Sequence, residues 1–186
     1  MKIETIEIAG FAGALTALRL PFGKEVRSKI RITRNWDRLN DLSYIVSEVT
    51  NRIDSKDLQL MTTLVKRGDE HAKVVRGINV WAKITAPVYW WAEEETYRAG
   101  HERLASESTM HIDCRGLSGK ELQEAKAAIP MGKELTKVDM FSYQTLRRIV
   151  AQRHNHRLPE WHTFIEWVRT LPFAEELILV GLETEE

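Results

Sequence analysis

The segment WAKITAPVYWWAEEETYRAGHERLASESTMH, from Trp81 to His111, constrains this chain more than any other. Apolar residues lead to Pro87, a Trp-Trp pair follows at Trp90 and Trp91, and Glu93, Glu94 and Glu95 come next. Beyond them Arg98, His101, Glu102, Arg103, Ser106, Ser108 and His111 lie in a run with little apolar periodicity. A segment that passes from burying surface to presenting guanidinium, imidazole and hydroxyl groups reads as a core wall at one end and a candidate site at the other.

The flanking residues set the fold class. Residues 1–34 read as β structure: Ile3 to Ile8, Ala14 to Leu20 and Lys29 to Thr33 are short apolar or β-branched runs, punctuated by Gly10, Gly13 and Pro21-Phe22-Gly23. From residue 35 the period is helical. Asn35 is placed to cap a helix carrying Trp36, Leu39, Leu42, Ile45, Val46, Val49 and Ile53 on one stripe. A second helix, from Ser55 to Gly68, buries Leu58, Met61, Leu64 and Val65. Val74, Val75, Ile78, Trp81 and Ala82 predict a third, which Pro87 ends or restarts.

Ser118 and Glu121 form a capping-box pattern for a short polar helix bracketed by glycines and Pro130, an excursion or lid over the core. Asp139 or Ser142 caps the next helix, which buries Phe141, Leu146, Ile149 and Val150. Pro159 opens the last, with Trp161, Phe164, Ile165, Val168 and Leu171 inside, and Glu175–Leu182 is an apolar tail. The expectation is an α+β fold, a small N-terminal antiparallel sheet with a mostly helical remainder. At 186 residues the chain suits one domain spanning 1–186.

Charge and cysteine content narrow the function classes. Twenty-seven basic residues balance 27 acidic ones, so net charge gives no pull towards nucleic acid or an anionic membrane, and anion binding must come from a local cluster. The single cysteine, Cys114, forms no intrachain disulfide and reads as a buried thiol. The N-terminus has neither signal-peptide nor transit-peptide character, and no apolar run approaches the ~20 residues needed to span a bilayer. A cytoplasmic protein is the expectation.

Two clusters carry candidate chemistry. One is the Arg98–His111 run. The other holds Arg147, Arg148, Gln152, Arg153 and Arg157 with His154, His156 and His162. Guanidinium groups match phosphate oxygens in two-point geometry, so an arginine cluster is an anion-binding option; its bland counterpart is a solvated helix face. The histidine spacing lacks HExxH or any carboxylate-rich partner motif, so no metal site is expected. The three glutamates read as a solvated face and the tryptophan pair as core packing.

The order of these features resembles the flavin-dependent thymidylate synthases, whose signature is R-H-R-x-x-S. Ala86-Pro87-Val88-Tyr89 looks like the start of the family's signature helix. One register sets Thr96-Tyr97-Arg98 against R-H-R, with Ser106-Glu107-Ser108-Thr109 as the serine-rich run. A second sets His101-Glu102-Arg103 there and puts Ser106 on the motif serine. Leu146-Arg147 and Gln152-Arg153 resemble the family's later arginine-bearing helix.

In either register only the last arginine of R-H-R survives, and no arginine follows Pro159-Glu160-Trp161-His162 where the family's E-I-R has one. The resemblance covers roughly residues 1–180. It implies FAD held by Arg98, His101, Arg103 and Ser106. It also implies a dUMP-like pyrimidine nucleotide held by Ser108, Arg147, Arg148, Gln152 and Arg153, with folate as carbon donor and a homotetramer as the assembly. The function it implies is methylation of the nucleotide with reduced flavin and methylene-folate. The degraded signature carries the alternative, a non-enzymatic module binding a nucleotide, RNA or protein on the same scaffold.

Overall fold

A computed structural model describes residues 1–25, 27, 28 and 53–182. The predicted strand Lys29–Thr33 and nearly all of the predicted helix after Asn35 lie outside the described residues.

Strand β1 (Lys2–Ala9) lies where the alternation from Ile3 to Ile8 places it. It stops at Gly10, whose φ of 102° is open to glycine and strained for other residues. A Cβ there would lie 1.7 Å from the Gly77 carbonyl oxygen, so the backbones meet where a side chain has no room. The chain then enters helix α1 (Phe11–Arg19), and not the strand expected over Ala14–Leu20. Phe11, Ala14, Leu15 and Leu18 are its buried residues, and their three- and four-residue spacing is helical. Leu20–Phe22 form a 3₁₀ turn closed by Gly23.

Helix α2 (Ser55–Lys66) starts at Asp54, which accepts from the Lys56 amide, and buries Met61 and Val65. The predicted third helix is absent. Ala72–Gly77 form a 3₁₀ turn, and β2 (Asn79–Pro87) follows with Val80, Ala82, Ile84 and Ala86 all buried. That two-residue period is a strand's, and it outweighs the weaker helical spacing of Val74, Val75, Ile78, Trp81 and Ala82.

Pro87 ends the strand, and helix α3 (Val88–Glu94) begins directly after it. Strand β3 (His101–Ser106), a helical turn at Thr109–Ile112 and helix α4 (Gly119–Ala127) come next. α4 is the polar helix foreseen at Ser118: it buries no residue, although the Ser118 side chain makes no capping bond. Strand β4 (Glu134–Ser142) runs into helix α5 (Tyr143–Arg153), where Ser142 is the cap and accepts from the Thr145 amide. Asp139 is therefore a strand residue, and so is Phe141 near the strand's end. Helix α6 (Pro159–Arg169) opens on its proline as expected and buries Trp161, Phe164, Ile165, Trp167 and Val168. Leu177, Ile178 and Leu179 are buried in a π-helical turn, Glu175–Leu179.

The four strands form an antiparallel sheet in the order β1-β2-β4-β3. The fold is α+β. Only β1 of the described strands is N-terminal, however, and the rest of the sheet comes from the middle of the chain. Trp90, Trp91, Phe141, Trp161 and Phe164 form a contiguous aromatic core beneath the helices. No helix among the described residues is long and apolar enough to cross a membrane.

Candidate functional site

Strand register builds a charged corner into this core. Ala82 of β2 pairs with Asp139 of β4, and Asp139 pairs with Arg103 of β3; in the next row Val80 pairs with Phe141 and Phe141 with His101. Directly paired residues share a sheet face, so the inner face changes from apolar at β2 to ionic at the β3 edge. His101 stacks on Phe141 with ring centroids 4.7 Å apart. A bulge between Arg103 and Ala105 then shifts the register, so the inward pattern of β3 ends at Arg103.

Helix α3 closes this corner. Arg103 donates from Nη2 to Glu94 Oε2 at 2.8 Å, from Nε to Asp139 Oδ1 at 3.0 Å, and from Nη1 to Glu95 Oε1 at 2.6 Å. Lys137 donates to the same Glu95 oxygen at 2.8 Å and lies over the Trp91 ring, as Arg103 also does. Glu94 and Asp139 are fully buried, whereas the Arg103 side chain keeps 25% exposure. His101 Nε2 lies 3.2 Å from Glu94 Oε1 and 3.3 Å from Asp139 Oδ2.

These contacts set the charges. Burial pushes the Glu94 carboxyl up to about 7, with His101 acting against the rise and Asp139 adding to it. Burial alone would lower His101, but Asp139 and Glu94 outweigh it and raise the imidazole above its ordinary value. The Lys137 hydrogen bond holds Glu95 below the usual carboxylate range.

The glutamate run is thus no solvated face. Glu94 and Glu95 pair with Arg103, and Glu93 turns the other way. Glu93 Oε2 accepts from Arg153 Nη1 and from Trp161 Nε1, each at 2.9 Å, with His156 Nε2 at 3.3 Å. Arg153 also donates to the Tyr97 hydroxyl and lies over the Trp161 ring. Both tryptophans of the pair are core residues, and Trp91 additionally walls the Arg103 corner. Cys114 is a buried free thiol.

The remaining site residues of the sequence do not converge on one pocket. Arg98 is exposed on the loop before β3. Ser106 is exposed at the far end of β3, and its hydroxyl donates to the Glu107 carbonyl; Ser108 precedes the 109–112 turn. Arg147 donates to the carbonyls of Ile178 and Val180 at 2.7 and 2.6 Å, which ties α5 to the C-terminal turn. Arg148 donates to Asp69 at 2.9 Å, and Gln152 is exposed. The reason is helical geometry: Arg147, Arg148 and Arg153 leave α5 in different directions, and each finds its own partner. His154, His156 and His162 do not gather either, since His154 contacts the Ala151 carbonyl and His162 the His156 carbonyl. The structure instead joins His101 to Glu94 and Asp139, which no local spacing relates. Only the helix period of α3 and the two-residue period of β3 and β4 hinted at it.

The fold places the chain among known proteins although its sequence does not. No protein-family model matches it, and no curated protein matches at the level of sequence. Among solved structures it is similar to thymidylate synthase X (ThyX) from Helicobacter pylori in complex with FAD and dUMP, with a TM-score of 0.68 at 10% identity and all of both chains covered. A second structure of that enzyme with the same ligands gives 0.67 at 10% identity, covering 98% of this chain and 99% of the other. The UMP/dUMP methylase PolB from Streptomyces cacaoi, bound with 5-Br dUMP, gives 0.59 at 12% identity, covering 95% and 93%. At such identities the likeness shows the fold alone, and that fold is ThyX-like.

Proposed function

We propose that this chain binds a pyrimidine nucleoside monophosphate of the dUMP type on a ThyX-like scaffold. The observation that carries the reading is the ligand common to the similar structures. H. pylori ThyX and the S. cacaoi methylase are differently named enzymes, yet both were solved with dUMP or a 5-substituted dUMP.

The donor set of this chain supports nucleotide binding better than unchanged flavin chemistry. All three guanidinium nitrogens of Arg103 already meet carboxylates, so this arginine is a poor phosphate ligand within its own chain. Arg98, Ser106 and Gln152 are exposed, and Ser108 is half-buried. Arg98 lies on the loop before β3 and Ser106 at the strand's far end, and β3 by itself spans roughly 17 Å. They would grip different ends of an extended ligand, or ligands in sites that a second copy completes. With FAD present, Arg98 and Ser106 would orient it while the flavin supplies the hydride. Methylation of the nucleotide with a folate carbon donor in a homotetramer is the full extension of this reading. The closed ion pairs of Arg103 favour the alternative, a nucleotide-binding module without turnover.

A thermal-shift panel with dUMP, dTMP, FAD and methylene-folate tests the proposal. A ligand at 100 times its Kd adds about 2.7 kcal/mol, which raises the Tm of a chain this size by roughly 5–10 °C. A shift with dUMP alone supports the binding module, and joint shifts with dUMP and FAD support the enzyme. Arg98→Ala should leave the ligand-free Tm unchanged and weaken the effective ligand by roughly 10–150-fold, the size of one charge-assisted contact. No shift with any of the four overturns the reading.

A further inference from the structure

Glu94, His101 and Asp139 each offer one possible ligand atom, and these atoms all lie within 4.8 Å of one another. The state of His101 follows from its other nitrogen. Nδ1 is 2.7 Å from the Tyr97 carbonyl, which can only accept, so Nδ1 carries the hydrogen and the neutral ring presents a lone pair at Nε2. Nε2 lies 3.2 Å from Glu94 Oε1 and 3.3 Å from Asp139 Oδ2. Three electron-rich atoms at this separation repel unless a cation lies among them.

A proton on Nε2, which Asp139 and Glu94 favour, is the ion's competitor, but it is poorly aimed. Among the described residues neither Glu94 Oε1 nor His101 Nε2 has a hydrogen-bond partner, so both contacts are close without having the direction of a hydrogen bond. Both side chains are more than nine-tenths buried, at 0% and 7% exposure, so water is a weak substitute. A metal ion suits the spacing. For the two imidazole–carboxylate pairs, 3.2 and 3.3 Å apart, bonds of about 2.1 Å subtend about 100° at the ion, between octahedral and tetrahedral angles.

Arg103 plays the part of an outer-shell partner. It donates to Glu94 Oε2 and Asp139 Oδ1, which turns Glu94 Oε1 and Asp139 Oδ2 towards His101; a 3.2 Å contact also reaches Asp139 Oδ2. Glu95 lies against both Arg103 and Lys137 and offsets part of their positive charge. The three donors stand on α3, β3 and β4, so the arrangement is preformed by rigid elements.

We propose that Glu94, His101 and Asp139 bind one divalent first-row transition ion of the Zn²⁺ class. One imidazole with two carboxylates selects such an ion over Mg²⁺ or Ca²⁺, which prefer oxygen alone. The site locks the end of α3 to the β3–β4 edge, and it stands independently of the nucleotide proposal.

The test uses the full chain without a histidine tag, stripped with a chelator. It is titrated with Co²⁺, followed by d–d absorption, and with Zn²⁺ by calorimetry. The expected result is one equivalent per chain, with Zn²⁺ displacing the Co²⁺ spectrum. His101→Ala and the near-isosteric Glu94→Gln should each weaken Zn²⁺ binding by more than about 100-fold. His162→Ala, which alters a surface histidine held by the His156 carbonyl, should change nothing. Circular dichroism confirms that each variant is folded. Failure to saturate at one equivalent, or unchanged affinity in folded Glu94→Gln, overturns the proposal.

Discussion

Arg103→Met isolates the energetics of the charged corner. Methionine keeps much of the stem but removes the guanidinium that meets Glu94, Glu95 and Asp139. Two of those carboxylates are fully buried, and afterwards His101 touches both while Lys137 acts on Glu94 from further away. Removing one member of a buried ion network costs about 3–5 kcal/mol, because a charge is stranded away from water. Arg103 is a quarter exposed and His101 still touches both acids, which points to the lower end, about 3 kcal/mol. For a chain of this size that is a Tm loss of roughly 6–12 °C.

Chemical denaturation in the presence of a chelator measures this loss apart from any metal. Glu95→Gln is the comparison, since Glu95 is half exposed and its ion pairs should contribute less than about 1 kcal/mol. Glu94→Gln combined with Arg103→Met should cost less than the sum of the single changes by about 1–2 kcal/mol, because the amide removes one stranded charge. If Arg103→Met costs no more than Glu95→Gln, the corner is screened by solvent and the buried-network argument is wrong.

Two further outcomes follow from the fold. Gly10→Ala drives a Cβ against the Gly77 carbonyl from a positive φ, so a loss of at least about 3 kcal/mol is expected; a Tm within 2–3 °C of the parent would contradict the described approach of these backbones. Asp57 is buried. Burial raises its pKa, but hydrogen bonds from Ser28 and Arg19 outweigh this and hold it below the ordinary value. Its contribution is therefore complete above the unfolded carboxylate pKa, about 3.9, and is lost as pH falls through the lower folded value. The stability gap between the parent and Asp57→Asn should be level from pH 7 to 5 and shrink below about 4. A gap that widens on acidification would refute the assignment.

Much of the architecture is legible along the chain. Ile3–Ile8, the helix that starts at Ser55, the Ser142 cap and the Pro159 start are local features, and each element lies where its own residues put it. The misreadings are local too. Over 14–20 the helical set Phe11, Ala14, Leu15 and Leu18 was obscured by glycines at both ends, and over 74–82 a helical stripe competed with the alternation that runs from Val80 to Ala86. Strand β3 went unread because its inward positions are His101 and Arg103, polar residues that break an apolar alternation.

The residue order by itself determined the α+β class, which rests on periods and stop signals within a few residues of one another, and its motif residues between Ala86 and Arg153 carried the resemblance to the flavin-dependent thymidylate synthases. It could not determine what Glu94, His101, Arg103 and Asp139 do. Their meeting depends on the β3–β4 register, on the bulge after Arg103 and on the angle at which α3 leaves Pro87, and burial then decides their charge. It likewise could not show that the arginines of α5 separate, because where Arg147, Arg148 and Arg153 go is set by Ile178, Asp69 and Glu93. Periodicity is a property of neighbours in sequence, whereas ion pairing and desolvation are properties of neighbours in space. Only the folded chain supplies the latter.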